Sequence, residues 1–425
     1  MSQTTSKGYK QTDLGMVPAD WEVVEIRDCV TSYQLGGNYR NSSNETAYPL
    51  IKMGNLNRGK VNTKKLEYAQ DVASSRDRLR RGDVLFNTRN TLDLVGKIAI
   101  WNDELPIAYF NSNLMRLEFD QKKVASSRYV NLALNTRQFI LSLRGVATGT
   151  TSVAAIYTRD LKKLCILLPP KEEQLLIADA LSDTNALITA LEKLIYKKRA
   201  IKTAAMQQLL TGKTRLPGFD KHPNGKPKGT KQTELGEIPE DWEAIALGSA
   251  AEFINGRAYG LHEWENHGTP VIRLQNLTGR GSNYYFSNLQ LPPKQYCRKG
   301  DLLYMWSATF GPVIWRGEEA IFHYHIWKVE CSDLTDSQFL FYILDEMTER
   351  LKRGSSSGGT MLHVTKEKME STKIVYPSED EQSAIANALC DMDEEIQALE
   401  QRLNKTRQIK QGMMQELLTG RTRLV

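Results

Sequence analysis

The chain has 425 residues, enough for two or more cores, and its 40% hydrophobic and 25% charged residues are ordinary for a water-soluble fold. No run reaches the roughly 18 apolar residues of a membrane span, and the opening MSQTTSKGYKQTD lacks the apolar stretch of a signal peptide. A net charge of +6 leans toward an acidic partner, and five scattered cysteines without a CxxC pair point to a reducing cytoplasm.

In chain order, the first landmark is KQTDLGMVPADWEVVEI from Lys10, which returns as KQTELGEIPEDWEAIAL from Lys231 at an offset of 221. Leu14, Gly15, Pro18, Asp20 and Trp21 thus correspond to Leu235, Gly236, Pro239, Asp241 and Trp242. Gly and Pro set a turn, and the indole is expected to cap a local core. Alternating, strand-like stretches follow: PLIKMGNL from Pro49 answers PVIRLQNL from Pro270, and RGDVLF from Arg81 answers KGDLLY from Lys299. Helices are expected near 127–143 and 337–352, with glycine-rich loops at 144–151 and 353–360.

The most extensive repetition spans 173–216 and 381–424, where 24 of 44 positions are identical at an offset of 208. Apolar residues there recur at helical spacing: Ile177, Leu181, Ile188 and Leu191 in the first copy, Ile385, Leu389, Ile396 and Leu399 in the second. Such an a/d seam predicts two long helices that pair as a coiled coil, each stopped by a glycine after Leu-Leu-Thr. A Pro-, Gly- and Lys-rich linker joins the halves. The expected division is a first domain over 1–170, a helix over 171–212, a linker over 213–230, a second domain over 231–378 and a second helix over 379–420. Because the linker joins one repeat's end to the next repeat's start, the duplicate is expected to be quasi-circular. A pseudo-twofold axis would then run the two helices antiparallel.

Catalytic motifs do not emerge. Gly212-Lys213-Thr214 imitates a phosphate-binding loop, but Gln207 stands where its first glycine belongs and the second copy has Arg421 for the lysine. No dinucleotide or methyl-donor glycine fingerprint follows a clear strand, and no [DN]PP[FY] tetrapeptide occurs. His262, His267, His323 and His325 lack partners at ligand spacing, although His-x-His on a strand would point both rings to one face. Asp83 and Asp301 lie in [RK]-Gly-Asp turns, where a carboxylate caps backbone N–H groups.

Polar, basic and aromatic residues instead gather on expected loops at matching points of both halves. In the first these are Tyr39, Arg40, Asn87, Arg89, Arg144 and Thr150; in the second, Arg257, Tyr259, Arg273, Gln275, Trp306, Ser307 and Thr360. Arg, Asn and Gln can read guanine and adenine edges bidentately, and hydroxyls and glycine-loop amides suit phosphates. These are the candidate DNA-binding residues, and solvated loop residues are the bland alternative.

With these landmarks in place, the chain resembles the DNA specificity subunit of type I restriction-modification systems. The likeness rests on the paired Leu-Gly-x-[IV]-Pro-x-x-Trp openings, the Gly-Asp-[VL]-Leu strands, the Pro and Glu-Gln starts of the long helices at Pro170–Gln174 and Pro377–Gln382, and the Leu-Leu-Thr-Gly-x-Thr-Arg-Leu closings. The resemblance implies two mixed α/β target recognition domains, each reading half of a split, asymmetric site in double-stranded DNA, joined by two long antiparallel helices. It implies no catalysis and no cofactor on this chain. Two modification subunits would bring S-adenosylmethionine, methylate adenine N6 and flip the base; motor-nuclease subunits would use ATP and Mg. The helices would act as spacer and docking surface, and about 40 residues at 1.5 Å rise make a rod of roughly 60 Å. That length suits half-sites about one DNA turn apart. The rival readings are a fused methyltransferase or nuclease, disfavoured by the missing motifs, and a coiled-coil scaffold that binds protein rather than DNA.

Overall fold

The computed structural model describes residues 8–150, 153–307, 309–354 and 364–424. The chain divides into two compact units, one formed by residues up to 192 together with those from 401 onward, the other by residues 193–400. This differs from the expected five-segment division, because each long helix is shared. Lys171–Leu209 and Glu379–Leu417 are continuous helices of 39 residues, and the cut falls inside both.

The first unit opens with the antiparallel hairpin Tyr9–Thr12 and Gly15–Pro18, followed by Glu22–Glu25, which pairs with Cys165–Leu168. A six-stranded sheet follows in the order Val30–Leu35, Leu114–Phe119, Val84–Asn87, Ile98–Ile100, Gly59–Val61, Leu56–Asn57. Its pairings are antiparallel except that of Ile98–Ile100 with Gly59–Val61. The strand after Gly82-Asp83 is covered on both faces. Val84 and Phe86 enter a core with Trp21, Tyr129, Ile177, Leu181 and Leu417, while Leu85 enters a second core with Ile51, Trp101 and Phe110. Alternation along a strand delivers successive side chains to opposite faces, so one short apolar run serves two cores. The helix expected near 127–143 is two helices, Ser127–Ala133 and Arg137–Val146. Thr136 breaks the run by accepting the Phe139 amide as an N-cap.

The second unit repeats the plan. Thr230–Thr233 and Gly236–Pro239 form the hairpin, and Glu243–Ala246 pairs with Lys373–Tyr376. Its main sheet has the order Ala251–Asn255, Ile326–Cys331, Leu302–Ser307, Thr309–Ile314. Leu302 and Tyr304 face the core with Trp242 and Ile385, and Leu303 faces the core with Ile272 and Phe322. The helix expected near 337–352 is Ser337–Gly354.

Within each unit the two long helices run antiparallel. In the first, Thr184 donates to Met413 Sδ at 3.5 Å and Arg407 pairs with Glu192 at 2.6 Å. In the second, Arg199 pairs with Glu400 at 2.5 Å and Lys202 with Asp393 at 2.6 Å. The closing glycines explain how a helix end meets the next opening. Gly420, at φ +70°, lies under Pro18 and Trp21, and Gly212, at φ +69°, lies under Pro239 and Trp242. A Cβ would collide with either proline, and the left-handed backbone stops the helix. The quasi-circular closure is therefore present: the last residues of the chain complete the first unit. All five cysteines are free, and no helix among the described residues is long and apolar enough to cross a membrane.

Candidate nucleic-acid interface

Each unit contains its own copy of the same frame. Trp21 is fully buried and donates its indole N–H to Glu173 Oε2 at 2.9 Å; Trp242 does the same to Glu381 Oε2 at 2.8 Å. Each buried carboxylate also receives an arginine from a Thr-Arg-Leu closing, Arg423 to Glu173 at 2.7 Å and Arg215 to Glu381 at 2.5 Å. The same arginines fork onto Asp20 and Asp241. Against the desolvation that opposes it, the bonds from Arg215 and Lys228 bring Asp241 down to about 2. The next residue, Gln174 or Gln382, is fully buried and stitches the helix start to the globular part. Gln174 takes the Ala125 amide and donates to the Lys123 and Pro169 carbonyls; Gln382 takes the Asp336 amide and donates to the Leu334 and Pro377 carbonyls. The [RK]-Gly-Asp turns are capped as expected, with Asp83 accepting the Arg80 amide and Asp301 the Arg298 amide, each at 2.9 Å.

On this frame the loops differ between units. Two glycines, Gly36 and Gly256, press against backbone carbonyls where no Cβ would fit, and each leads to a tyrosine three residues on. Tyr259 is turned inward, contrary to the DNA-binding role expected of it, whereas Tyr39 is half-buried with its hydroxyl engaged. Tyr39 donates to Asp77 at 2.5 Å and receives the Ser74 amide at 3.0 Å. Tyr259 is buried between Trp264 and His323.

In the first unit Asn87 is also corrected. It is fully buried, its amide oxygen takes the Arg89 amide and its NH2 reaches the Leu94 carbonyl, so it shapes a turn and does not face solvent. Arg40 is exposed and pairs with Asp71 at 2.7 Å. Arg89, Arg144 and Thr150 come together around a three-stranded patch. Arg89–Asn90 pairs with Ala154–Ala155, which pairs with Thr148–Gly149 just beyond the helix end bearing Arg144. Arg89 and Arg144 are exposed, and neither makes an ion pair among the described residues. Thr150 closes the turn by exchanging bonds with Val153.

The second unit presents aromatics. Arg257 is clamped to Glu263 by bonds of 2.6 and 2.9 Å and lies over Tyr259, so both of its terminal nitrogens are engaged in the free protein. That clamp, with the Gly260 amide, lowers Glu263 to about 2. Arg273 is different: it stacks 4.8 Å from the Tyr285 ring centre and 5.9 Å from that of Trp264, without a carboxylate partner among the described residues. Gln275 is half-buried and accepts the Arg280 and Gly281 amides at its backbone. Trp306 stacks on Trp327 and donates to the Tyr324 carbonyl, and Ser307 sits next to it at the strand end. Thr360 lies outside the described residues. The His-x-His pair lies on the turn between Ala320–Phe322 and Ile326–Cys331, not on a strand, with rings 5.1 Å apart. Burial, then His325 and Arg273, push His323 down to about 4. No group of metal-ligating side chains occurs among the described residues.

The helix residues divide by position. Ile177, Leu181, Ile385 and Leu389 are buried in the cores of their units with Trp21 or Trp242, so they cannot also meet a separate chain. Leu191 and Ile396 are buried farther along, while Ile188 and Leu399 are half-buried. Sequence reasoning missed Trp264, Tyr285 and Tyr324 as exposed or stacking aromatics, and Arg58, Lys60 and Lys410 as cations. Motif alignment between halves could not show them, because they fall where the halves diverge or where a shared residue has different neighbours.

Two α/β units on a common frame, each closed by the far end of the other repeat's helix, define a duplicated module that displays two different loop sets. The family described as "Type I restriction modification DNA specificity domain" matches residues 18–200 and 239–410. The chain belongs to this family. The type I restriction enzyme MjaVIII specificity subunit of Methanocaldococcus jannaschii is 27% identical over 442 residues, covering 98% of this chain and 96% of that one. Another protein of that organism, named for the MjaX system, is 28% identical over 438 residues, with 98% and 97% covered. Among solved structures, the type I restriction-modification S subunit from M. genitalium shares the fold at a TM-score of 0.55 and 16% identity, covering 93% of this chain and 96% of that one.

Proposed function

We propose that this chain is the sequence-reading subunit of a type I restriction-modification complex, with each unit reading one half of a bipartite, asymmetric DNA site. The observation that carries this is the shared Asp–Trp–Glu–Arg frame beneath dissimilar loops: Arg89, Arg144 and Thr150 on one unit, Arg273 over Trp264 and Tyr285 on the other. A scaffold that positions two readers needs identical framing, and an asymmetric site needs unlike reading surfaces. Arginine donors can address base edges and aromatic faces can stack or pack against them, while hydroxyls and amides hold phosphates.

In this reading the chain is not catalytic. Two modification subunits supply S-adenosylmethionine-dependent methylation, and motor-nuclease subunits supply ATP- and Mg-dependent cleavage. The exposed faces of the long helices dock the modification subunits, and the complex works in the cytoplasm. The test is to bind the assembled complex to randomised duplexes at several salt concentrations and sequence what is retained. A two-part consensus with steeply salt-dependent affinity is expected. Flat salt dependence with no consensus would favour the protein-binding scaffold instead.

A further inference from the structure

The two long helices carry a lysine at equivalent positions, Lys202 and Lys410, related by the 208-residue offset. Their surroundings are opposite in charge. In the second unit Lys202 donates to both oxygens of Asp393, at 2.6 and 2.7 Å, and its ammonium lies 5.1 Å from the ring centre of Tyr342. The Tyr342 hydroxyl donates to the same aspartate at 2.8 Å. The lysine is thus neutralised inside the protein.

The first unit has neither partner. The position of Asp393 is filled by Asn185 at the same offset. The position of Tyr342 follows from the helix caps. Ser126 caps the Tyr129 amide and Asp336 caps the Phe339 amide, which aligns Tyr342 with Leu132. Lys410 is therefore half-buried with no carboxylate bound to it among the described residues. Its neighbour is another cation: burial first, and then the charge of Lys60, lower its pKa.

Lys60 stands on the hairpin Leu56–Asn57 and Gly59–Val61, which buried Asn131 holds by donating to the Gly59 carbonyl at 3.0 Å. The same hairpin carries Arg58, whose guanidinium reaches the Gly96 carbonyl at 3.5 Å. Gly96 packs against Leu143 and donates its amide to the Asn87 carbonyl, at the turn that bears Arg89. Burial and the nearby Arg144 hold Arg58 below its ordinary pKa. Four cations thus follow one another from the loop patch to the long helix, and none of them makes an ion pair among the described residues. Like charges gathered without counter-charges make a local positive potential that favours an anion.

We propose that Lys410, Lys60, Arg58 and Arg144 form a track for DNA phosphates on the first unit, and that Asp393 and Tyr342 close the equivalent lysine position on the second. The two half-sites would then be gripped unequally, with this track contributing to affinity and register and not to base choice. The proposal rests on the DNA-reading function above and adds which residues carry its electrostatic part.

The test uses the full chain in its assembled complex, with random-sequence duplex DNA as probe. K410Q, N185D (which rebuilds the second unit's neutralising pair) and K60Q (an exposed site with no packing role) are compared with wild type. Each variant should flatten the slope of log affinity against log salt by about one, weaken all sequences alike, and leave the recognised consensus unchanged. Unchanged slopes in variants of a wild type that binds duplex would overturn this proposal alone. A wild type that fails to bind duplex would overturn both this proposal and the function it rests on. Normal slopes with weakened capture of modification subunits would show a protein-facing surface and also overturn it.

Discussion

Arg423 donates to Glu173 at 2.7 Å across 250 residues of sequence, and Arg215 makes the equivalent bond to Glu381. Glu173 is 1% exposed, and that arginine and the Trp21 indole are its bonded partners there. Arg423→Met should leave a buried, uncompensated carboxylate and destabilise the first unit by about 3–5 kcal/mol. Hydrogen exchange should show faster opening around Trp21 and unchanged protection around Trp242. Arg215→Met should give the reverse pattern. Equal loosening of both units by either change would contradict two separately framed halves.

The start of the helix seam belongs to a globular core. Leu181 is fully buried and packs in one cluster with Trp21, Tyr129 and Leu417, whereas Leu399 is half-buried. Leu181→Ala should cost about 2–5 kcal/mol, and Leu399→Ala clearly less. Urea titration with helix and tryptophan signals would check the ranking. Loss of partner binding by Leu181→Ala at wild-type stability would argue that this side chain faces outward after all.

Among the arginines of the second unit, Arg273 is the better candidate for base reading. Arg273→Ala should relax one position of one half-site by roughly 1–3 kcal/mol. Arg89→Ala should do the same in the other half-site. Arg257→Ala should instead loosen the loop by stranding Glu263, with a broad loss of affinity. Selection of bound duplexes from a random pool distinguishes these outcomes, and a single substitution that relaxes both half-sites would contradict independent readers.

His323 and Glu263 both contribute to the pH response of the second unit. His323 has its pKa lowered from 6.5 to about 4 in the fold. Between those values the unfolded chain binds more protons than the folded one, so stability is full above about pH 6.5 and falls as pH drops toward 4. Glu263 is lowered from 4.5 to about 2, so its contribution is lost only at more acid pH, from about 4.5 downward. His323→Gln should flatten the response between about pH 6.5 and 4.5 and leave the loss at lower pH. Thermal melts at half-unit pH steps would show it.

Repetition along the chain was enough to establish the duplication, the two long helices, the capped Gly-Asp turns and the quasi-circular order. Each depends on local spacing or turn chemistry that any two aligned copies must share. The buried tryptophans were legible too, because a Gly-Pro-Trp turn has few other uses. The chemistry of the surface was not. Asn87 and Tyr259 looked like readers because of their residue types, yet backbone geometry and packing turned them inward. Arg257 and Arg273 look alike as letters, and only a loop that places Glu263 beside one and aromatic rings beside the other sets them apart. Lys202 and Lys410 sit at the same register position, but one meets an aspartate and a tyrosine and the other meets a lysine. The charge available to a partner is set by neighbours brought from distant parts of the chain, and that is decided by tertiary structure.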